Sequence, residues 1–376
     1  MCRIACVDSH TELTNYQSKF RAAKRPFAPE DYAMAKLNFT RDEIMADHAY
    51  AEPQVEAGYR LHGGFDAKGI YISPRTLNRW PAVQSWQAQL GTRGWPVIDA
   101  SLRLLKRGPY PTVDQQKFLL GHGFGETLWN SLTITGIIEA RGGMLAQAVA
   151  PDFQKIVVEQ LGDTALGHLN KGLLAAHGYD EGGQKDIGIG GHDDMWFAVR
   201  DALFGKNAYP IPEVPASIAR PETGRRLPQL DKEYEDWILL LMNVLMIEVK
   251  AESFFSFCQS IMRDPTNFKD RRPAANHAAD LVERIRTDEA IHVAYLATVI
   301  SELRSFTIRT LDGATMPGAS LVDPLWEQMI EWHAVTAADA GKQQSREAII
   351  GRLKAKPNGP ALAATFDSLE FRHAAE

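Results

Sequence analysis

Leu239-Leu-Leu-Met-Asn-Val-Leu-Met-Ile247 is apolar almost all round and runs straight into Glu248 and Glu252, before a second apolar run, Phe254-Phe-Ser-Phe257. A helix that is hydrophobic on every side must be buried, and a carboxylate set into it is costly unless it meets a cation. Further on, Arg286-Thr-Asp-Glu289-Ala-Ile-His292 holds a glutamate and a histidine three apart. On a helix both project from one face and can bind the same metal ion or adjacent ions. Asp264-Pro265 breaks the chain between them, predicting helices over about 231–262 and 274–305. If these are antiparallel about a turn near residue 270, Glu252 lies opposite residue 288, beside Glu289. That match of depth marks Glu252, Glu289 and His292 as metal ligands and leaves the part of Glu248 open.

The same reasoning extends towards the N-terminus. Thr112-Val-Asp114 after Pro111 reads as a helix start, and the helix runs to about 148 with a break near Gly121–Gly125. Pro151-Asp152 opens a second helix, expected to end at His177 before Gly178. With the turn near 150, Glu139, which follows Leu132-Thr-Ile-Thr-Gly-Ile-Ile138, faces residue 161. Glu159 and Asp163 flank that depth and His168 follows one to two turns on. A carboxylate on an apolar helix again meets an acidic, histidine-containing partner, which is the ligand inventory of a bridged di-metal centre. Glu139, Asp163 and His168 are its candidates here, with Glu159 as the alternative on the second helix.

Around these pairs the pattern is simpler. Residues 1–110 are punctuated by Pro26, Pro29, Pro53, Pro74, Pro81 and Pro96 and read as an irregular arm or cap on the bundle. That cap holds a short strand at Gly69–Ser73 and short helices over Val83–Leu90 and Asp99–Leu105. Residues 206–230 hold five prolines and read as a long crossover, and 311–376 as a C-terminal extension with two helical stretches. The expected fold is therefore all-α: a four-helix bundle over 111–310, built from two helix pairs joined by a long crossover.

Composition narrows the function. A net charge of −6 and no basic stripe argue against a nucleic-acid partner. Cys2, Cys6 and Cys258 form neither a disulfide framework nor a zinc ribbon, and suit a reducing cytoplasm. The start of the chain lacks the pattern of a signal peptide. The most apolar stretch, Trp237–Ile247, is about half of what a bilayer span needs.

On Glu252-Ser-Phe-Phe-Ser-Phe257 and Arg286-Thr-Asp-Glu-Ala-Ile-His292 the chain resembles the ferritin-like di-iron carboxylate superfamily, in its ribonucleotide reductase small-subunit-like branch. The resemblance covers roughly 240–305. It implies a ferritin-like bundle, two iron ions or a manganese/iron pair, O2 as co-substrate, and Asp288 orienting a ligand histidine from outside the ligand set. The chain departs from that branch on the second helix, where its Glu-x-x-His is absent. Asp163 and His168 are five apart and share a face only across a π-bulge, which Gly162 and Gly167 would ease. Gly172 stands where the branch places a redox tyrosine, so the chain does not read as a reductase subunit.

The resulting expectation is an oxygenase or oxidase acting on a fairly hydrophobic small molecule, compatible with an external electron donor and a homodimer. The competing reading is a helical binding or scaffold protein whose metal site has degraded. A storage or peroxide-scavenging role suits the long terminal elaborations less well. His192-Asp193-Asp194 is explained by Asp193 as a helix N-cap, and Gly188-x-Gly190-Gly191 lacks the strand–turn–helix context of a dinucleotide site.

Overall fold

A cluster of buried acids and imidazoles is held between four long helical segments, and the course of the chain follows from how those segments pair. The computed structural model describes residues 36–370; Cys2, Cys6, Pro26 and Pro29 lie outside them. In chain order the described elements begin with α1 (Arg41–Ile44) and two small hairpins, β1 (Gln54–Glu56) with β2 (Tyr59–Leu61) and β3 (Gly64–Phe65) with β4 (Tyr71–Ile72). There follow α2 (Arg79–Thr92), α3 (Ser101–Leu104), α4 (Val113–Gly121), α5 (Glu126–Gly142), α6 (Leu174–Gly182), α7 (His192–Phe204), α8 (Lys232–Arg263) and α9 (Arg272–Ser305). A third hairpin, β5 (Thr307–Arg309) with β6 (Thr315–Pro317), leads to α10 (Gly318–Glu331), α11 (Ala337–Lys354) and α12 (Gly359–Glu370). The protein is mostly helical, as its sequence pattern requires, and among the described residues no helix is long and apolar enough to cross a membrane.

The long pair forms where its apolar runs predict. α9 starts with Pro273 in its first turn, where a missing N–H costs nothing. α8 and α9 are antiparallel: Arg286 meets Glu252, and Gln259 Nε2 donates to the Ala279 carbonyl at 3.1 Å. α4 starts on a capping box, in which Thr112 and Gln115 satisfy each other's backbone N–H.

The partner of α5 differs from expectation. In place of one helix over 151–177, residues 150–168 make an irregular excursion, followed by a π turn over Leu169–Leu173. Tertiary bonds outcompete the helix there. Val157 bridges to Ile308, the Glu159 carboxylate accepts the Thr307 N–H, and Glu302 accepts the N–H groups of Ala165 and Leu166 at 3.0 and 2.8 Å. The true partner of α5 is α6 and α7 in succession, one antiparallel path interrupted at 183–191. Gly178 of α6 lies so close to the Ala146 backbone that a Cβ would sit 2.0 Å from its nitrogen. Further down, Arg200 of α7 reaches Thr133, and Phe204 lies against Gly125.

α7 packs in turn on α9, and α9 on α8. Residues 205–231 cross from α7 to α8 without a helix, pinned by the Arg220 N–H on Asn243 Oδ1 at 2.8 Å. β2 is tied to the interruption: His62 N–H donates to the Gly190 carbonyl at 3.0 Å, and Gly190 N–H to Arg60 at 2.8 Å. One apolar core, including Trp86, Leu241, Leu245 and Tyr295, lies on one side of the acidic cluster, and a second, including Trp196, Phe255 and Ile285, on the other.

Candidate metal centre

Four glutamates and three histidines converge between the helical segments: Glu139 from α5, His177 and Glu181 from α6, His192 from the first turn of α7, Glu248 from α8, and Glu289 and His292 from α9. They form two groups, His177–Glu181–Glu248–His292 and Glu139–Glu181–His192–Glu289, each with one ligand atom per residue lying within 4.8 Å of the others. Glu181 belongs to both. Glu289 also faces both, with Oε2 2.8 Å from His292 Nδ1 and Oε1 3.1 Å from His192 Nδ1.

Each imidazole is fixed from behind. His192 Nε2–H donates to Asp288 at 3.2 Å, His292 Nε2–H donates to Asp180 at 3.1 Å, and His177 Nδ1 is hydrogen-bonded to the Tyr295 hydroxyl at 2.7 Å. The other nitrogen of each ring therefore points at carboxylate oxygens. This is the outer support expected of metal-bound histidines. Asp180 is in turn held by the fully buried Arg79 at 2.7 Å and by Arg75. Asp288 also accepts from His62 at 3.0 Å and from the Tyr71 hydroxyl at 2.9 Å.

Three atoms at the centre are stranded. Glu181 Oε1, Glu289 Oε1 and His192 Nδ1 are buried and have no well-aligned hydrogen-bond partner among the described residues, although His192 Nδ1 lies 3.3 Å from the first oxygen and 3.1 Å from the second. Unprotonated donors facing one another at that range are costly unless a cation or protons sit among them. The charge count agrees. Six buried or half-buried carboxylates (the four glutamates, Asp180 and Asp288) face two guanidinium groups, leaving four negative charges that two divalent ions would neutralise. The donor set of imidazole and carboxylate suits iron, manganese, cobalt or zinc.

The crowded charges also shift one another's proton affinities. Burial and the neighbouring Glu181 push Glu139 well above the usual carboxylate range, and burial with Glu289 and Glu181 does the same to Glu248. Burial alone would lower His292, but Glu289, Asp180 and Glu181 outweigh it and hold the ring up at about 10. His192 is raised well above its ordinary value by Glu289 and Glu181 against the same opposition. His177, stacked on His292 with ring centres 3.8 Å apart, is lowered to about 3, first by burial and then by that neighbour.

Of the residues singled out from sequence, Glu139, Glu289 and His292 lie in the cluster, and Asp288 lies behind His192. Glu252 does not join them: its carboxylate forms a two-pronged ion pair with Arg286, one arm at 2.9 Å, and accepts from Ser256 at 2.9 Å. It meets a cation as its burial demands, but the cation is a guanidinium. Glu248, one turn earlier, takes the inward position. His168 is also elsewhere, packed on Trp86, with Nδ1–H donating to the Thr164 carbonyl at 2.7 Å and Nε2 accepting the Phe39 N–H at 2.9 Å. Asp163 falls in the irregular excursion and in neither group of candidate ligands. Glu159 is engaged with Thr307.

His177 and Glu181 were not found from the sequence, and His192 was set aside there as part of a helix start. His177 and Glu181 are four apart on one helix face, a pattern the expected helix end at Gly178 concealed. Nor is Asp193 the cap of α7: it is the second residue of the helix, accepts the Gly191 N–H and pairs with Lys185 at 2.9 Å.

Comparison of the chain with models of known families, with curated proteins and with solved structures gives no match. The case for the site is its geometry.

Proposed function

We propose that this protein is a non-haem di-metal carboxylate oxidoreductase that uses O2 to oxidise or oxygenate a fairly hydrophobic small molecule. The observation that carries the reading is the convergence of four glutamates and three outwardly braced histidines on stranded, buried donor atoms. Two redox-active ions, iron with iron or manganese with iron, would supply the electrons for O2 chemistry at such a site. The antiparallel pairs joined by a long crossover support a ferritin-like arrangement, with the second helix in two pieces.

The protein's own contribution is positioning and exclusion of water. Asp180, Asp288 and Tyr295 fix ring orientation, and four carboxylates can change their mode of attachment as charge at the centre changes. Trp196, Phe255 and Ile291 are buried, and Phe254 is half-buried against Trp196. These side chains shield the centre and favour an apolar substrate. Electrons beyond those of the substrate would come from a donor outside the chain. The alternative of a degraded, metal-free scaffold is disfavoured because His177, Glu181 and His192 fill the place left by the missing second-helix motif.

The test is elemental analysis of protein produced with both iron and manganese. About two ions per chain are expected, and Glu289→Ala with His292→Ala should lose them. Metal-free wild-type protein whose melting temperature ignores added iron or manganese would overturn the reading.

A further inference from the structure

The two groups of donors are unequal. His177 and His292 give two imidazoles to the group completed by Glu181 and Glu248, and all four side chains are buried. The other group holds one imidazole, His192, with Glu139, Glu181 and Glu289. Glu139 is half-buried, where every other member of either group is buried. The outer supports differ too. Asp180 behind His292 is neutralised by Arg75 and Arg79, whereas Asp288 behind His192 accepts from His62, Tyr71 and His192 and has no guanidinium partner among the described residues.

We infer that the two ions of this centre are bound unequally: a tight one at the enclosed two-histidine position of His177 and His292, and a weaker one at the one-histidine position of His192 and Glu139, where small exogenous ligands attach. This rests on the di-metal reading and deepens it. More imidazole raises affinity for the later divalent ions, and the half-buried Glu139 leaves the second position the more accessible. The substrate or oxidant therefore attaches at the position that is filled last.

Titration of the metal-free full chain with cobalt(II), followed by visible absorption and equilibrium dialysis, tests this. Two equivalents should bind in resolved steps whose dissociation constants differ by roughly tenfold or more. Sodium azide should change the spectrum of the protein carrying two equivalents and leave that of the protein carrying one unaltered. Two outer-support variants separate the positions without removing a ligand. Tyr295→Phe should weaken the first step alone and Asp288→Asn the second alone, each by roughly 10- to 100-fold. Two equal steps, azide binding to the singly loaded protein, or variants that weaken both steps alike would each overturn the inequality while leaving a di-metal centre in place. Failure of the wild-type chain to take up cobalt would instead remove the di-metal reading, and the inequality with it.

Discussion

Loading the centre with two divalent ions should expel about four protons, and that number follows from the charges around it. Without metal, Glu139 and Glu248 are held well above the usual carboxylate range, His192 well above its ordinary value, and His292 at about 10. The shifts favour the protonated form of all four, and four protons would cancel the four negative charges left by six carboxylates and two guanidinium groups. Ligation requires neutral imidazoles and ionised carboxylates, so the ions and the protons exclude each other. The sign for stability is fixed as well. All four groups have folded pKa values above their unfolded ones, so each favours the metal-free native state most at low pH and loses that contribution as pH rises, whereas His177, held at about 3, acts in the opposite sense below about 6.5. For the glutamates the loss begins as pH rises past about 4.5, and for the histidines past about 6.5, continuing for His292 to about 10. The loaded protein lacks this decline, so the melting-temperature gain on loading should widen as pH rises. Calorimetric titration with zinc(II) in buffers of different ionisation enthalpy reads the protons directly. Release of less than about one proton per ion, or a metal-induced gain that shrinks between pH 6 and pH 8, would refute the charge argument.

Three further outcomes follow. Glu252→Gln breaks the pair with Arg286, should cost about 3 kcal/mol in urea unfolding, and should leave metal stoichiometry at two; Glu248→Gln should lower the stoichiometry yet raise the melting temperature of the metal-free chain, because an amide spares the cost of holding a proton on a buried carboxyl. His168→Ala should leave metal content unchanged and cost about 1–3 kcal/mol for the stranded Phe39 N–H; since burial lowers the wild-type ring below 6.5, wild type loses this contribution as pH falls below that value. Gly191→Ala places a Cβ 2.5–2.7 Å from the backbones of Asp180, Gly183 and Glu181, so it should displace His192 and abolish binding of the second ion in equilibrium dialysis.

The helices α8 and α9 were legible because each is long, uninterrupted and written in a single hydrophobic period, and their mutual depth followed from the turn between them. The choice between Glu248 and Glu252 was not legible, since both sit at suitable depth in the same greasy helix. Arg286 decides it by claiming Glu252, and a burial argument does not distinguish a guanidinium from a metal. On the other side, Glu139 was legible as a carboxylate beside an apolar run. Its partners were misassigned because the arithmetic assumed that chain leaving α5 turns straight back. Residues 150–173 instead spend their backbone bonds on the β5 segment and Glu302, so the return path begins some twenty residues later than a simple hairpin allows. His192 was hidden by the nine residues that separate it from the end of α6.

That interruption has a consequence for how the centre comes together. In an unbroken helix, residues eleven apart stand about 16 Å apart along the axis, yet His192 Nδ1 lies 3.3 Å from Glu181 Oε1. The chain achieves this by looping out 183–191 and stitching the loop to β2, so a donor on α7 is aligned by a hairpin more than a hundred residues earlier in the chain. The placing of His192 thus depends on the docking of the β1–β2 hairpin. Amide exchange across residues 54–62 and 183–191 should slow in step when the ions are added.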